Sequence, residues 1–333
     1  MHLSRFPRVR LCHAPTPLEP MANLSKILGG PNLFVKRDDC TGLATGGNKT
    51  RKLDFLMGEA IDWGADCVVT QGAVQSNHCR QTAAAATRLG LGCYVLLERR
   101  VPNVAASYEV TGNVFLDQLF GAEIRFCEPG KDMNAAAEAL GEELAAKGKK
   151  PYVIPGGGSN PTGALGYVSC ALEMLIQAND RGLHIDYVVH ATGSAGTQAG
   201  LVVGLKGSNS GIRVQGISVR NPKDKQEQVV HDLAQRTAAH VGIKGGISRE
   251  AIRADDGYVG PGYGQPTAEM VEAVKLTARS EGILLDPVYS GKGMAGLIGL
   301  VRGGRFEPNQ NVVFVHTGGS AALFAYQDLF SKS

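Results

Sequence analysis

The chain lacks several features that would identify its chemistry at once. No apolar run reaches the roughly 18 residues needed to cross a bilayer, and the amino-terminal "MHLSRFPRVRLCHAPTPL" has no secretory apolar core. A globular, cytoplasmic protein is the expectation. Neither sign of charge dominates: 34 basic against 31 acidic residues leave a formal +3 with no long basic tract, which argues against nucleic acid as a partner. The seven cysteines, Cys12, Cys40, Cys67, Cys79, Cys93, Cys127 and Cys170, are odd in number and contain no C-x-x-C pair. They read as reduced packing residues, and no metal site is expected. His78 and Cys79 are adjacent, but neighbours on a helix point in different directions, so they do not make a nucleophile and base.

Two phosphate-binding signatures are also missing. A dinucleotide fingerprint in "VVHATGSAGTQAGLVVGLK" would need three glycines, and the chain offers Gly193, Ala195 and Gln198. No G-x-x-x-x-G-K-[ST] occurs, so a nucleoside triphosphate site loses support as well.

What is present is a core-sized chain, 333 residues with 43% hydrophobic content, enough for about two lobes. Short apolar runs ("CVVT", "CYVLLE", "EIRFC", "YVIP", "YVVHAT", "VQGISV", "NVVFVHT") alternate with helical patterns ("SNHCRQTAAAATRLG", "GNVFLDQLFG", "MNAAAEALGEELAAKG", "AGTQAGLVVGLK", "TAEMVEAVKLTARSEG"). That rhythm predicts an α/β fold of parallel sheets with helices on both faces. Many of the 44 glycines cluster where a strand ends and a helix begins: "TGGNK" at 45–49, "PGGGSN" at 155–160, "ATGSAGT" at 191–197 and "HTGGS" at 316–320. Ligands of open α/β sheets sit at the carboxyl ends of strands, so four such crests predict one shared cleft.

The crests carry chemistry. Thr192, Gly193, Ser194, Ala195, Gly196 and Thr197 make a compact turn whose amides and hydroxyls converge on a helix start, a shape that suits one phosphate monoester. In "TGGNKTRKL", Lys49 stands beside a glycine turn with Arg51 and Lys52 close by; three bases at the positive end of a helix want an anionic neighbour. A phosphate cradle in one half and a reactive lysine in the other suit a cofactor with a phosphate at one end and an aldehyde at the other. Pyridoxal 5'-phosphate fits, forming a Schiff base with an amine whose pKa is lowered by nearby cations or poor solvation. Lys292, in "SGKG", competes for that role. Gln75, Ser76, Asn77 and His78 form a third polar crest, more than capping requires. Tyr263 and Tyr289 are candidates if they face the lysine, and the hydroxyl of Thr317, after His316, suits a heteroaromatic nitrogen.

With these residues in view, the chain resembles pyridoxal-phosphate enzymes of the tryptophan-synthase-β class. Within it, the branch is that of aminocyclopropane-carboxylate deaminase, D-cysteine desulfhydrase and L-cysteate sulfo-lyase. The likeness runs from "RFPRVRLCHAPTPLEPM" to "HTGGSAALFAY" and is strongest in "KRDDCTGLATGGNKTRKL", "TQGAVQSNHCRQTAA", "PGGGSNPTGALGYV", "VVHATGSAGTQAGL" and "LLDPVYSGKG". The first, third and fourth of these are most similar to L-cysteate sulfo-lyase.

The resemblance implies that Lys49 carries the cofactor and moves the Cα proton, that Asn77 holds the phenolic oxygen, and that Ser76 and His78 flank the substrate carboxylate with Gln75 beside them. It further implies that residues Thr192 to Thr197 cradle the phosphate, Thr317 approaches the pyridine nitrogen, and Tyr263 and Tyr289 line the substrate side. It implies a large cofactor-binding domain (1–48 and 161–333), a small inserted domain (49–160) and a homodimer acting on a small amino acid. The implied reaction is β-elimination of L-cysteate to pyruvate, sulfite and ammonia. For the sulfonate, Thr41, Ser159, Asn160 and Arg220 are the nominees. The alternatives are a D-cysteine desulfhydrase and, from another class, a nucleotide-binding dehydrogenase-like protein.

Overall fold

The computed structural model of the chain describes residues 1–331. In chain order its elements are β1 (Leu18–Pro20), α1 (Ala22–Leu28), β2 (Asn32–Lys36), α2 (Asn48–Asp62), β3 (Cys67–Ala73), α3 (Asn77–Leu89), β4 (Gly92–Glu98), α4 (Gly112–Leu119), β5 (Glu123–Cys127), α5 (Met133–Ala146) and β6 (Pro151–Val153). There follow α6 (Pro161–Asp180), β7 (Tyr187–Thr192), α7 (Gly196–Gly207), β8 (Arg213–Ser218), α8 (Lys223–Val241), β9 (Ala254–Asp255), α9 (Ala268–Glu281), α10 (Ser290–Arg302), β10 (Asn311–Val315) and a terminal turn of helix, α11 (Asp328–Ser331). The strands form two sheets, a six-stranded one ordered β1-β2-β10-β7-β8-β9 and a four-stranded one ordered β5-β4-β3-β6. Pairing is parallel throughout both except at β1, which runs antiparallel to β2 on an edge. Pro20 is tolerated there because an edge strand can forgo a ladder donor.

Strand residues alternate between two apolar layers, and this places helices on both faces. On β10, Val313 and Val315 join the core with Leu165, Val168, Leu201 and Val202 of α6 and α7. Val312 and Phe314 join Leu24, Met270, Val274, Leu297 and Ile298 of α1, α9 and α10. The smaller sheet divides likewise, with Val68, Val95 and Leu97 facing Ala83 to Ala86 of α3 and Val69, Tyr94 and Leu96 facing Leu140 and Leu144 of α5. Each fully buried side chain of this kind contributes about 1.5–3 kcal/mol. The glycines of "AGTQAGLVVGLK" let α7 approach α6 closely: a Cβ at Gly200 would collide with the Ala164 carbonyl and one at Gly204 with Ala171.

Helix α2 joins the two cores, with Phe55 in the α6–α7 layer and Leu53, Leu56 and Met57 against α3 and the small sheet. Its first amides meet protein acceptors: Asn48 N donates to Thr317 O (3.0 Å) and Thr50 N to Gln81 Oε1 (2.9 Å). The lysine turn is thus stitched to the end of β10 and to α3.

Candidate active site

A cavity of about 390 Å³ lies where the carboxyl ends of β3, β4 and β6 meet those of β7, β8 and β10. All four glycine crests reach it: Asn48 and Lys49 from the first, Pro155 to Gly157 and Ser159 from the second, Ala191 to Ala195 and Thr197 from the third, and Thr317 from the fourth. The expectation of one shared cleft is met.

Lys49 sits half-buried in the first turn of α2, and burial pulls its amine down to about 8 from 10.5. Lys292 is drawn equally low by burial, so basicity does not separate the two lysines. Geometry does. Lys292 is fully buried outside the cavity, and its amine is committed to Val259 O (2.6 Å) and Gly262 O (3.0 Å), bracing the loop that carries Tyr263. The neighbours of Lys49 also differ from expectation. Arg51 points away from the cleft into carboxylates, Asp38 at 2.8 Å and Glu173 at 2.8 Å, because residues two apart leave a helix on different sides. Lys52 turns inward, donating to Gly157 O (2.9 Å), and its amine would lie 2.8 Å from a Cβ at Gly196. The low pKa of Lys49 therefore comes from burial, not from Arg51.

The turn after β7 has the form of an anion nest. Ala195 adopts φ +75°, a left-handed conformation that is strained for a residue with a Cβ and concentrates at functional sites. Among the described residues the amides of Ser194, Ala195 and Thr197 find no acceptor, while Gly196 N donates to Ser159 Oγ (3.2 Å). Ser159 in turn donates to Ser194 Oγ (2.9 Å), and Asn48 Nδ2 to Thr197 Oγ1 (2.9 Å), so the nest is tied both to the 155–160 crest and to the residue before Lys49. Thr192 closes its base, accepting from Gln226 Nε2 (3.0 Å), and Gly193 lies against Tyr289. Lys52 Nζ lies beneath; burial and the neighbouring Lys49 draw it well below its ordinary value, so an arriving anion would favour its charged form. Between nest and amine stands Gly157, at φ +67°, where a Cβ would collide with Ser194 Oγ and come within 3.5 Å of Lys49 Nζ. Unmet amides, two hydroxyls and a lysine at one end, and a poorly solvated amine across a gap that only glycine leaves open, are the donor set for a phosphate-bearing aldehyde.

The polar crest after β3 divides. Asn77 Oδ1 accepts from Arg80 Nη1 (3.0 Å) and Asn113 Nδ2 (3.0 Å), which leaves Nδ2 as the group presented to the cavity. Ser76 caps α3 by accepting from Cys79 N (3.1 Å) and keeps its own proton to donate. His78 departs from the substrate role. Thr70 gives its one hydroxyl proton to Ile154 O (2.8 Å), so His78 Nε2 must donate to Thr70 Oγ1 (2.8 Å). Burial holds the ring neutral, well below its ordinary pKa, and a neutral imidazole with its proton spent has no donor for a carboxylate. Gln75 lies outside the cavity, donating to Tyr108 O (2.5 Å) and Thr111 O (2.9 Å) and accepting from Asn113 N (2.8 Å). Gln75 is thus spent on the scaffold, while His78 lines the cavity but, with its proton given to Thr70, has no donor to offer there.

Tyr263 and Tyr289 both line the cavity, their hydroxyls 2.7 Å apart. Tyr289 is placed by Asp286, which accepts from its amide (3.0 Å) and from Ser290 N and Oγ (both 2.7 Å). Burial raises both phenols, keeping them protonated. His316 braces its turn, bonding Leu284 O (3.0 Å), and Thr317 faces the cavity. Of the sulfonate nominees, Thr41 is bound to Gly47 (2.9 Å), Asn160 caps α6 through Gly163 N (2.8 Å) and Ser159 serves the nest, leaving Arg220 open. Sequence reasoning did not find Asn48, Gln71, Arg100, Asn134, Asn221 or Lys225, which also line the cavity. Arg100 had one usable signal, its place two residues after the end of a strand.

The pattern of a family described as pyridoxal-phosphate dependent enzyme matches residues 9–318. A crystal structure of an ACC deaminase homologue is 39% identical, covers 99% of each chain and superposes with a TM-score of 0.89. Two more distant structures share the fold, each at 18% identity. A pyridoxal 5'-phosphate-dependent aspartate racemase covers 91% of this chain and 90% of its own at TM-score 0.65. A hydrogen sulfide-producing enzyme from Fusobacterium nucleatum covers 92% and 95% at 0.62. These findings leave no room for the dehydrogenase-like alternative: the chain belongs to the pyridoxal-phosphate-dependent enzymes, and pyridoxal phosphate is its cofactor.

Proposed function

We propose that the protein is a carbon–sulfur lyase that eliminates sulfite from L-cysteate, leaving pyruvate and ammonia. The observation that carries the reading is the charge of the cavity wall. Arg100, Arg220 and Lys225 line it together with Lys49, and no Asp or Glu does so among the described residues. Arg100 lies over the Tyr263 ring (5.5 Å) and is held by Glu98, and both Arg100 and Arg220 act electrostatically on the Tyr289 phenol. A substrate with two acidic groups suits such a wall; a small thiol leaves half of it unmatched.

In this reading the 192–197 nest and Lys52 would hold the phosphate, Lys49 would hold the aldehyde end, Asn77 Nδ2 would donate to the phenolic oxygen, and Thr317 would offer the ring nitrogen a hydroxyl in place of a carboxylate. When bound, pyridoxal phosphate supplies the electrophile and electron sink that make the Cα proton removable. Lys49 Nζ, which lines the cavity with its basicity lowered by burial, would take that proton. Ser76 Oγ would donate to the substrate carboxylate, and the Tyr263–Tyr289 pair would donate a phenolic proton to an oxygen of the departing sulfite as the Cβ–S bond breaks and its electron pair leaves with sulfur. Arg100 and Arg220 stabilise the sulfonate and then the departing sulfite. The remaining enamine hydrolyses in water to pyruvate and ammonia. A homodimer, cytoplasmic location and division into residues 1–48 with 161–333 and 49–160 belong to the same proposal.

The test is to supply L-cysteate and D-cysteine separately and measure sulfite, sulfide and pyruvate. Sulfite and pyruvate in equal amounts from the first, with little sulfide from the second, are expected. Abundant sulfide from D-cysteine with no sulfite from L-cysteate would replace this reading with the desulfhydrase.

A further inference from the structure

Behind the cavity wall Arg80 is fully buried, yet no carboxylate lies within ion-pairing distance of it among the described residues. Its guanidinium donates only to neutral acceptors: Asn77 Oδ1 (3.0 Å), Asn113 Oδ1 (2.6 Å) and the Gly46 carbonyl (2.7 Å). Among the described residues its Nε has no partner. Asp117 and Asp286 act on it only at longer range, without pairing, and burial pushes both of their carboxyls up. A buried cation without a counter-ion is costly, and its company is therefore informative.

The network around it points one way. Asn113 Nδ2 adds a second bond to Asn77 Oδ1 (3.0 Å), so two donors pin that oxygen and the amide cannot flip. Asn77 Nδ2 is left facing the cavity, 2.8 Å from where a Cβ at Gly319 would stand. A cation bonded to the oxygen side of an amide polarises it and makes its N–H a stronger donor. The same guanidinium holds Gly46, in the turn that leads to Lys49. We propose that Arg80 is a positioning residue for the cofactor: it fixes Asn77 as a donor and supplies the positive charge that favours an ionised oxygen in front of it. The ligand this wall selects is an aromatic group bearing an anionic oxygen. The inference rests on the placement of the cofactor against Asn77 and is independent of which amino acid is cleaved.

The test uses the full chain stripped of cofactor and reloaded with either pyridoxal phosphate or 3-deoxypyridoxal phosphate, which lacks the phenolic oxygen, with affinity measured by equilibrium dialysis. The analogue's intrinsic chemistry is the same in every variant, so only changes in the affinity ratio count. The wild-type chain should prefer pyridoxal phosphate by about tenfold or more, the scale of a charge-assisted hydrogen bond. Arg80→Met should bring the ratio to within about twofold, with Arg80→Lys between. Should Arg80→Met not fold, Asn113→Asp places a carboxylate of the same size against the guanidinium and should lower the ratio likewise. Equal losses for both ligands, or an unchanged ratio in both variants, would overturn the proposal. Asn77→Ala separates the two failures: if it keeps the full preference, the cofactor does not lie against Asn77, whereas if it alone loses the preference, only the role of Arg80 falls.

Discussion

Two arginines of this protein are buried beside the same cleft and keep opposite company. Arg51 is closed in by carboxylates: Asp38 takes two of its nitrogens at 2.8 and 2.9 Å, and Glu173 takes two at 2.9 and 2.8 Å. Thr16, Lys36 and Tyr167 complete that network, with Tyr167 donating to Asp38 at 2.7 Å and Lys36 to Glu173 at 2.5 Å. The Asp38 carboxyl is held below its ordinary value against the pull of burial, because Arg51 bonds to it. Arg80 has only neutral acceptors, and burial draws it down to about 10. The first network is complete without a ligand and ties α2 to α6. The second presents Asn77 to a cavity whose nest amides also lack acceptors. A polar cluster that satisfies itself is scaffold, and one that stops short faces something that must arrive.

The sharpest way to break the comparison is at Lys49. Lys49→Ala should abolish turnover while leaving the unfolding midpoint close to that of the wild-type apo chain, since the Arg51 network is untouched. Residual wild-type turnover in this variant would remove Lys49 from the chemistry. Next in size is the closed network itself. Arg51→Met strands Asp38 in the core and should lower stability by about 3–5 kcal/mol in denaturant titration, and a loss under 1 kcal/mol would mean the ion pairs are dispensable. The smallest effect concerns pH. The Lys49 amine titrates near 8, below its value of 10.5 in an unfolded chain, so capture of pyridoxal phosphate by the apo chain should rise about tenfold per pH unit up to 8 and then level off. The sign for stability agrees: between 8 and 10.5 the unfolded chain binds the extra proton, so the apo fold gains stability as pH rises through that window. Borohydride trapping followed by peptide mapping reads the capture, and label on Lys292, which shares the low value but not the access, would contradict the geometric distinction.

Much of the fold was legible because it follows local rules. The runs read as strands became β3 to β8 and β10, and the glycine crests fell at their carboxyl ends. Strand β2, at Asn32–Lys36, and the 20-residue helix α6 were not read, although β2 sits between β1 and β10 in the larger sheet. Helix α6 hides its pattern because it is buried on several sides, with Gly163 and Gly166 lying against other backbone. At the site, Lys49, Ser76, Asn77, Thr317, the two tyrosines and most of the 192–197 turn could be nominated because each stands at a strand end with distinctive neighbours. Gln75 could not be told apart from Ser76 and Asn77 that way, since direction along a turn is set by what packs behind it, and nothing in the chain announces that Thr70 takes the His78 proton.

By itself the sequence determined the alternation of strands and helices, the turn geometry that glycine alone permits, and the set of polar residues available at the strand ends, because these depend on neighbours in the chain. Only the tertiary structure decided which of those residues face the cavity, that Arg51 is neutralised while Arg80 is not, and that Arg100 and Lys225 line the same cavity as Lys49. Those outcomes depend on partners 13 to more than 100 residues away, such as Asp38 and Glu173 for Arg51, and on the loss of water that makes each unpaired charge count.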